Sequence, residues 1–181
     1  MTNSSRLSPL RRCNEQAGFT LMELLLAIAV LAILTTLALP AFTQFIANNR
    51  LSAKANEMVA AMQYARSEAL RLGVPVQVCS SSDAETCGGN WNQGWIAFQD
   101  PDGNDQPNNA NDVLRVWQTP GTEFQFTPTN GRVEFTREGF STSVAEQPFD
   151  LLFPGCTSDN ARRVLVERTG RVAAERIDCP T

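Results

Sequence analysis

The feature that most constrains this chain is a continuous apolar run close to its amino terminus. Leu24 to Leu34 carries only hydrocarbon side chains, and the apolar character continues through Thr35 and Thr36 to Leu39. Counted from Phe19 this is about 21 residues, or roughly 32 Å as a helix, enough to cross a bilayer. One carboxylate, Glu23, sits at the mouth of the run, five residues after Gly18. Burying it costs on the order of 2.5–3.5 kcal/mol at a bilayer centre and less near an interface, so it asks for a positive partner. Two ordinary explanations stay open. A secretory signal also starts basic, here with Arg6, Arg11 and Arg12, and Ala38-Leu39-Pro40-Ala41 offers a small-residue cleavage site. Its apolar core, however, runs 7–15 residues and holds no acid. A plain signal anchor needs neither the glycine nor the carboxylate.

The stretch Gly18-Phe19-Thr20-Leu21-Met22-Glu23 resembles the processing site of type IV prepilins. The resemblance implies cleavage by a prepilin peptidase between Gly18 and Phe19 and methylation of the new amino terminus at Phe19. It also implies that Glu23 neutralises the terminal amine of a neighbouring subunit within an apolar filament core. The expected organisation is a leader over 1–18, a transmembrane and filament-core helix over 19–39, an amphipathic helical half over 40–73 and a β-rich domain over 74–181.

The chain has 15 basic and 19 acidic side chains, and removing residues 1–18, with Arg6, Arg11, Arg12 and Glu15, leaves 12 against 18, a net charge of −6. An acidic surface disfavours nonspecific nucleic-acid binding, although screening within roughly 8–10 Å lets a local basic strip act. Nucleic acid is therefore not expected as a partner. Arg11 and Arg12 precede the span, which by the positive-inside tendency leaves the carboxyl-terminal bulk across the inner membrane, in the bacterial periplasm. Cys13 lies in the leader. Cys79, Cys87, Cys156 and Cys179 form an even set suited to an oxidising compartment, with three pairings possible. Cys79 with Cys87 and Cys156 with Cys179 is the favoured pairing, since the first closes a short Ser/Gly-rich loop and the second ties the last strand to an internal one. The rival, a metal site, is poorly served by a chain with no histidine and no closely paired cysteines.

Pro40 lacks an N–H and is expected to kink the helix. Beyond it Leu51, Ala55, Met58, Met62, Ala65, Ala69 and Leu72 recur at steps of four and three, one face of a second helical half. Lys54, Glu57, Glu68 and Arg71 lie off this stripe, and Gly73 with Pro75 marks the stop. Short β-type runs follow over 74–79, 95–99, 113–117, 123–127, 132–136, 149–153, 163–168 and 171–177. Asn130-Gly131 reads as a tight turn and Thr169-Gly170 as the turn of a final hairpin. The fold class is α+β, a long amino-terminal helix packed on antiparallel sheet. The run Tyr64-Ala65-Arg66-Ser67-Glu68-Ala69, the strand into Cys79, Trp91 and Gly94-Trp95 together resemble the GspH/FimT family of minor pilins and type II secretion pseudopilins. That resemblance implies a structural subunit that primes or caps a filament, with other minor and major pilins or pseudopilins as partners.

Catalysis has little to stand on. No histidine is available as a base, and no nucleophile elbow or phosphate loop occurs. The chain is read as a non-enzyme without cofactor or metal. Asp100-Pro101-Asp102-Gly103-Asn104-Asp105 has the composition of a calcium loop but lacks the terminal bidentate glutamate, and a solvated turn after the strand ending at Gln99 is the favoured reading. Arg162, Arg163, Arg168, Arg171 and Arg176 gather in the last two strands among Glu167, Glu175 and Asp178. Some FimT-like proteins bind DNA through a carboxyl-terminal Gly-Arg-x-Arg. Gly170-Arg171 matches its first half, while Ala173 replaces the second arginine, so strand-edge arginines that discourage edge pairing and bridge to nearby acids are the favoured reading, and the alternative is a DNA-binding minor pilin using Arg162, Arg163 and Arg171.

Overall fold

The computed structural model describes residues 18–118, 124–128, 131–142, 147–156 and 160–179, the side chains of Leu37, Pro40, Ala41, Pro128 and Gln147 excepted. The chain divides into two compact units, Met1–Thr43 and Gln44–Thr181. One helix, α1 (Leu21–Leu72), supplies the described part of the first unit and opens the second. Thr20 starts it: its carbonyl accepts from the Leu24 N–H at 3.1 Å and its hydroxyl from the Glu23 N–H at 3.2 Å. The first is the opening bond of the helix, and the second satisfies one of the donors that a helix start leaves without partners. The helical backbone continues through Pro40. Gly73 ends it with φ +71° and an N–H to the Ala69 carbonyl at 3.0 Å, a left-handed cap that glycine adopts without strain.

In the first unit the apolar side chains point outward. Phe19, Leu21, Met22, Leu24, Leu31 and Leu39 are all more than half exposed. Thr35 and Thr36 donate their hydroxyls to the Ala32 and Ile33 carbonyls at 2.9 and 2.7 Å. Both polar groups are thereby satisfied along the helix itself, which suits an apolar surrounding.

The second unit holds the core. Leu51, Ala55, Met58, Ala61, Met62, Ala65 and Ala69 of α1 are fully or almost fully buried. The same cluster takes in Val76 and Val78, Trp91, Trp95, Val133, Phe135, Phe149, Leu151, Val164 and Val166. The strands are β1 (Val76–Ser80), β2 (Gly94–Gln99), β3 (Val113–Gln118), β4 (Gln125–Pro128), β5 (Arg132–Phe135), β6 (Gln147–Leu152), β7 (Ala161–Val166) and β8 (Val172–Ile177). They form two antiparallel sheets of four, β3-β2-β1-β5 and β4-β6-β7-β8, where the sequence suggested antiparallel sheet without dividing it. Asn130 lies outside the described residues. The strands flanking Asn130-Gly131 belong to different sheets, so the chain there passes from one sheet to the other instead of closing a hairpin. Thr169-Gly170 does close one: β7 and β8 pair from Ala161↔Ile177 to Val166↔Val172.

Aromatic rings fill the space between the sheets. Trp95 stacks on Trp117 with centroids 6.5 Å apart, Trp91 meets Phe149 edge-on at 4.9 Å, and Trp95 lies 5.8 Å from Phe126. Trp95 belongs to the first sheet and Phe126 and Phe149 to the second, so these rings lock the two together. Offset and edge-on pairs add about 0.5–1.5 kcal/mol each beyond their buried area.

Candidate functional site

Three regions carry the residues that the sequence singled out, beginning with the start of α1. Gly18 and Phe19 precede the helix, and Phe19 is 84% exposed. A β-carbon built on Gly18 would meet no atom within 4 Å, and its φ lies outside the region that favours glycine. The described residues therefore give no steric reason for glycine at position 18. Glu23 occupies the first turn of α1, where a negative charge also complements the helix dipole. Thr20, the third residue of the same motif, caps this turn. Its signal was present, since Thr20-x-x-Glu23 is the spacing of a capping box.

Among the described residues no helical segment is long and apolar enough to cross a membrane.

The second region is the β7–β8 hairpin with its arginines. Neighbours along a strand point to opposite faces, and this divides Arg162 from Arg163. Arg162 turns toward α1 and is 8% exposed. Its Nε donates to Ser52 Oγ at 3.2 Å and its Nη1 to the Ala161 carbonyl at 2.9 Å. Arg163 faces the other way and grips Asp150 with two bonds of 2.7 Å, which raise its pKa above the ordinary guanidinium value. Across the hairpin Arg162 stands beside Arg176 and Arg163 beside Glu175. Arg171 donates to Glu167 at 3.3 Å. Each of Arg162, Arg163 and Arg171 is thus engaged by the protein's own acceptors, and no single face collects them into a strip.

Gly170 has a local reason to be glycine. Its φ is +75°, and a β-carbon there would lie 2.1 Å from the Gly139 carbonyl oxygen and 2.7 Å from Arg66 Nε. Arg66, on α1, donates to the Gly139 carbonyl at 2.9 Å and to the Thr169 carbonyl at 3.1 Å. One guanidinium thus ties the turn after β5 to the turn between β7 and β8, joining the ends of both sheets to the helix.

The third region is the pair of loops beyond β1 and β2. Cys79 is bonded to Cys87, with Cα atoms 5.6 Å apart, and Cys156 to Cys179, 5.8 Å apart. Within the first loop Asp83 accepts from the Thr86 hydroxyl and N–H and from the Glu85 N–H, which hold its carboxyl well below the usual carboxylate range. Asp100 is buried and accepts from the N–H groups of Gly103, Asn104 and Asp105 and from Gln77 Nε2, at 2.6 to 3.1 Å. Asp105 pairs with Arg132, and Asp102 accepts from Asn104 and Asn108. The carboxylates fold the loop back on itself. Among the described residues no group of three His, Cys, Asp or Glu side chains converges as a metal site.

Comparison with known proteins follows the same division. Residues 54–170 match the model of the type II transport protein GspH family, and residues 13–39 match the prokaryotic N-terminal methylation motif. Among solved structures the chain is similar to the type IV minor pilin FimU of Pseudomonas aeruginosa, at 22% identity and TM-score 0.57, covering 72% of this chain and 92% of that one. It is also similar to the minor pseudopilin EpsH of the Vibrio cholerae type 2 secretion system, at 14% identity and TM-score 0.52, covering 70% and 97%. No curated protein sequence matches it.

Proposed function

The chain belongs to the GspH family of minor pilins and pseudopilins, which are structural subunits and not enzymes, and from that premise we propose that it primes or caps a pilus or pseudopilus. Membership implies contact with other pilins or pseudopilins in a filament. On our reading a prepilin peptidase removes residues 1–18, and the apolar helix holds the protein in the inner membrane, with its second unit in the periplasm, until it is drawn into the filament. One observation carries this reading. Among the described residues Gly18 has no steric role, yet it stands just before an exposed apolar helix start that bears a single carboxylate. Its place in the matched N-terminal methylation motif supports its being read by a processing enzyme. An outward-facing apolar surface of this length is explained by lipid and by neighbouring helices. Ala27, Ala29 and Ala32 allow those helices to approach closely.

The test uses Glu23→Ala in the full chain. Removing the carboxylate lowers the cost of insertion, so membrane recovery equals or exceeds that of the parent. Incorporation into sheared filaments falls, because the neighbouring terminal amine loses its countercharge. Filament incorporation equal to that of the parent refutes the pairing role of Glu23.

A further inference from the structure

The first sheet ends in an edge strand, β3, whose outer side is built unlike a sealed edge. Antiparallel ladders turn the N–H and C=O of successive residues to alternate sides. Gly94 turns its carbonyl toward Ser81, on the β1 side, at 3.0 Å. Trp95 and Ala97 therefore turn theirs toward β3, where they face Trp117 and Arg115. The backbone groups of Leu114, Val116 and Gln118 accordingly point away from the sheet. The Leu114 carbonyl is met by the Tyr64 hydroxyl at 3.4 Å, whereas among the described residues nothing meets the N–H or C=O of Val116, which is 43% exposed.

Beside this opening lies Arg115. Its guanidinium rests over the rings of Tyr64 and Trp117, 5.3 and 5.0 Å from their centroids. Among the described residues it makes no ion pair. The rings hold the cation in place without using its N–H donors in their plane, which are left for an outside carboxylate. On the opposite face of β3 a groove of about 310 Å³ runs between Val116, Gln118 and Ile96 and the Ser81–Ala84 turn.

We propose that β3 is a docking edge that receives an extended, carboxylate-bearing segment of a different filament subunit. The segment adds a short strand through the backbone of Val116, sets an Asp or Glu against Arg115 and places a small side chain in the groove, the β-augmentation mode of recognition. Charge complementarity selects the occupant. Val113–Gln118 itself carries no acid, so pairing with the β3 of a second copy leaves both arginines without a counterion. The proposal rests on the filament-subunit reading.

Photo-crosslinking in native membranes separates the two. A benzoylphenylalanine at position 118 of the full chain is expected to capture one partner, identified by mass spectrometry as another chain with its own prepilin motif. Arg115→Glu lowers that yield at least tenfold, Val116→Pro lowers it similarly, and Arg115→Lys keeps most of it. Proline is compatible with the fold at 116 because that N–H faces away from β2. An edge arginine that merely deters pairing instead gives a higher yield with Arg115→Ala, which overturns the proposal. So does capture of a second copy of this chain, or no capture from 118 while a probe at Leu31 in the apolar helix captures other subunits. Failure of both probes overturns the filament reading together with the edge.

Discussion

Replacing Gly170 with alanine tests whether the half motif Gly170-Arg171 is there for packing. Two costs are separable. The φ of +75° is unfavourable for an L-residue by about 1–2 kcal/mol. The new methyl would also sit 2.1 Å from a backbone oxygen, so the hairpin must move off Gly139. Arg66 then loses its bonds to Gly139 and Thr169, worth about 1 kcal/mol each at this partly exposed site. The total is about 3 kcal/mol, or a fall in Tm of about 10 °C for a chain of this size. Gly73→Ala is the control, since Gly73 shares the φ, +71°, but has no described atom within 4 Å of the new one; it costs only the backbone part, about 1–2 kcal/mol. Thermal unfolding of the full chain in detergent, disulfides intact, measures both. Arg66→Ala added to Gly170→Ala costs much less than Arg66→Ala alone, because the bonds are already broken. If Gly170→Ala is no worse than Gly73→Ala, the packing account of Gly170 is wrong.

Three further outcomes follow from the same geometry. Opening the Cys79–Cys87 bond, 8 residues apart, costs about 2.5 kcal/mol by loop entropy, and opening Cys156–Cys179, 23 apart, about 3.4 kcal/mol; single serine pairs under chemical denaturation check the order, and non-reducing peptide mapping checks the pairing. Because the Asp83 carboxyl is depressed, its contribution is complete above the ordinary aspartate value, about 3.9, and is lost only as pH falls through the lower folded value; the Thr86 and Glu85 amide signals therefore stay unchanged from neutral pH down to that range, and a shift centred at or above it contradicts the capping role. Duplex DNA binds weakly at about 150 mM salt, with a log-log salt slope shallower than about −2, since few phosphates are neutralised together; Ala173→Arg strengthens it, and submicromolar binding abolished by Arg171→Ala makes the DNA receptor the better reading.

What was legible in the sequence was local. The step of four and three from Leu51 to Ala69 marks the buried face of α1 because a helix repeats its contacts within its own turn. The strands from β1 to β8 announce themselves by short runs between turn residues. How the strands divide between two sheets depends on pairings such as Val76↔Phe135, which no local pattern encodes. The Arg66 tie was hidden for the same reason: its acceptors lie 73 and 103 residues away. Gly170 therefore looked like half of a DNA motif when its glycine answers to Gly139 and Arg66. Arg162 and Arg163 became strand neighbours with opposite faces only because β7 begins at Ala161, two residues before the run that local patterning marked.

The central claim, a filament subunit processed at Gly18, is tested most directly by the mass of the mature amino terminus in membrane-extracted protein. The account predicts a chain that begins at Phe19 with an N-methylated α-amino group, and a bulky residue in place of Gly18 leaves the longer form uncut. A mature terminus at Pro40 or Ala41, or an unprocessed chain in cells whose other pilins are processed, contradicts it.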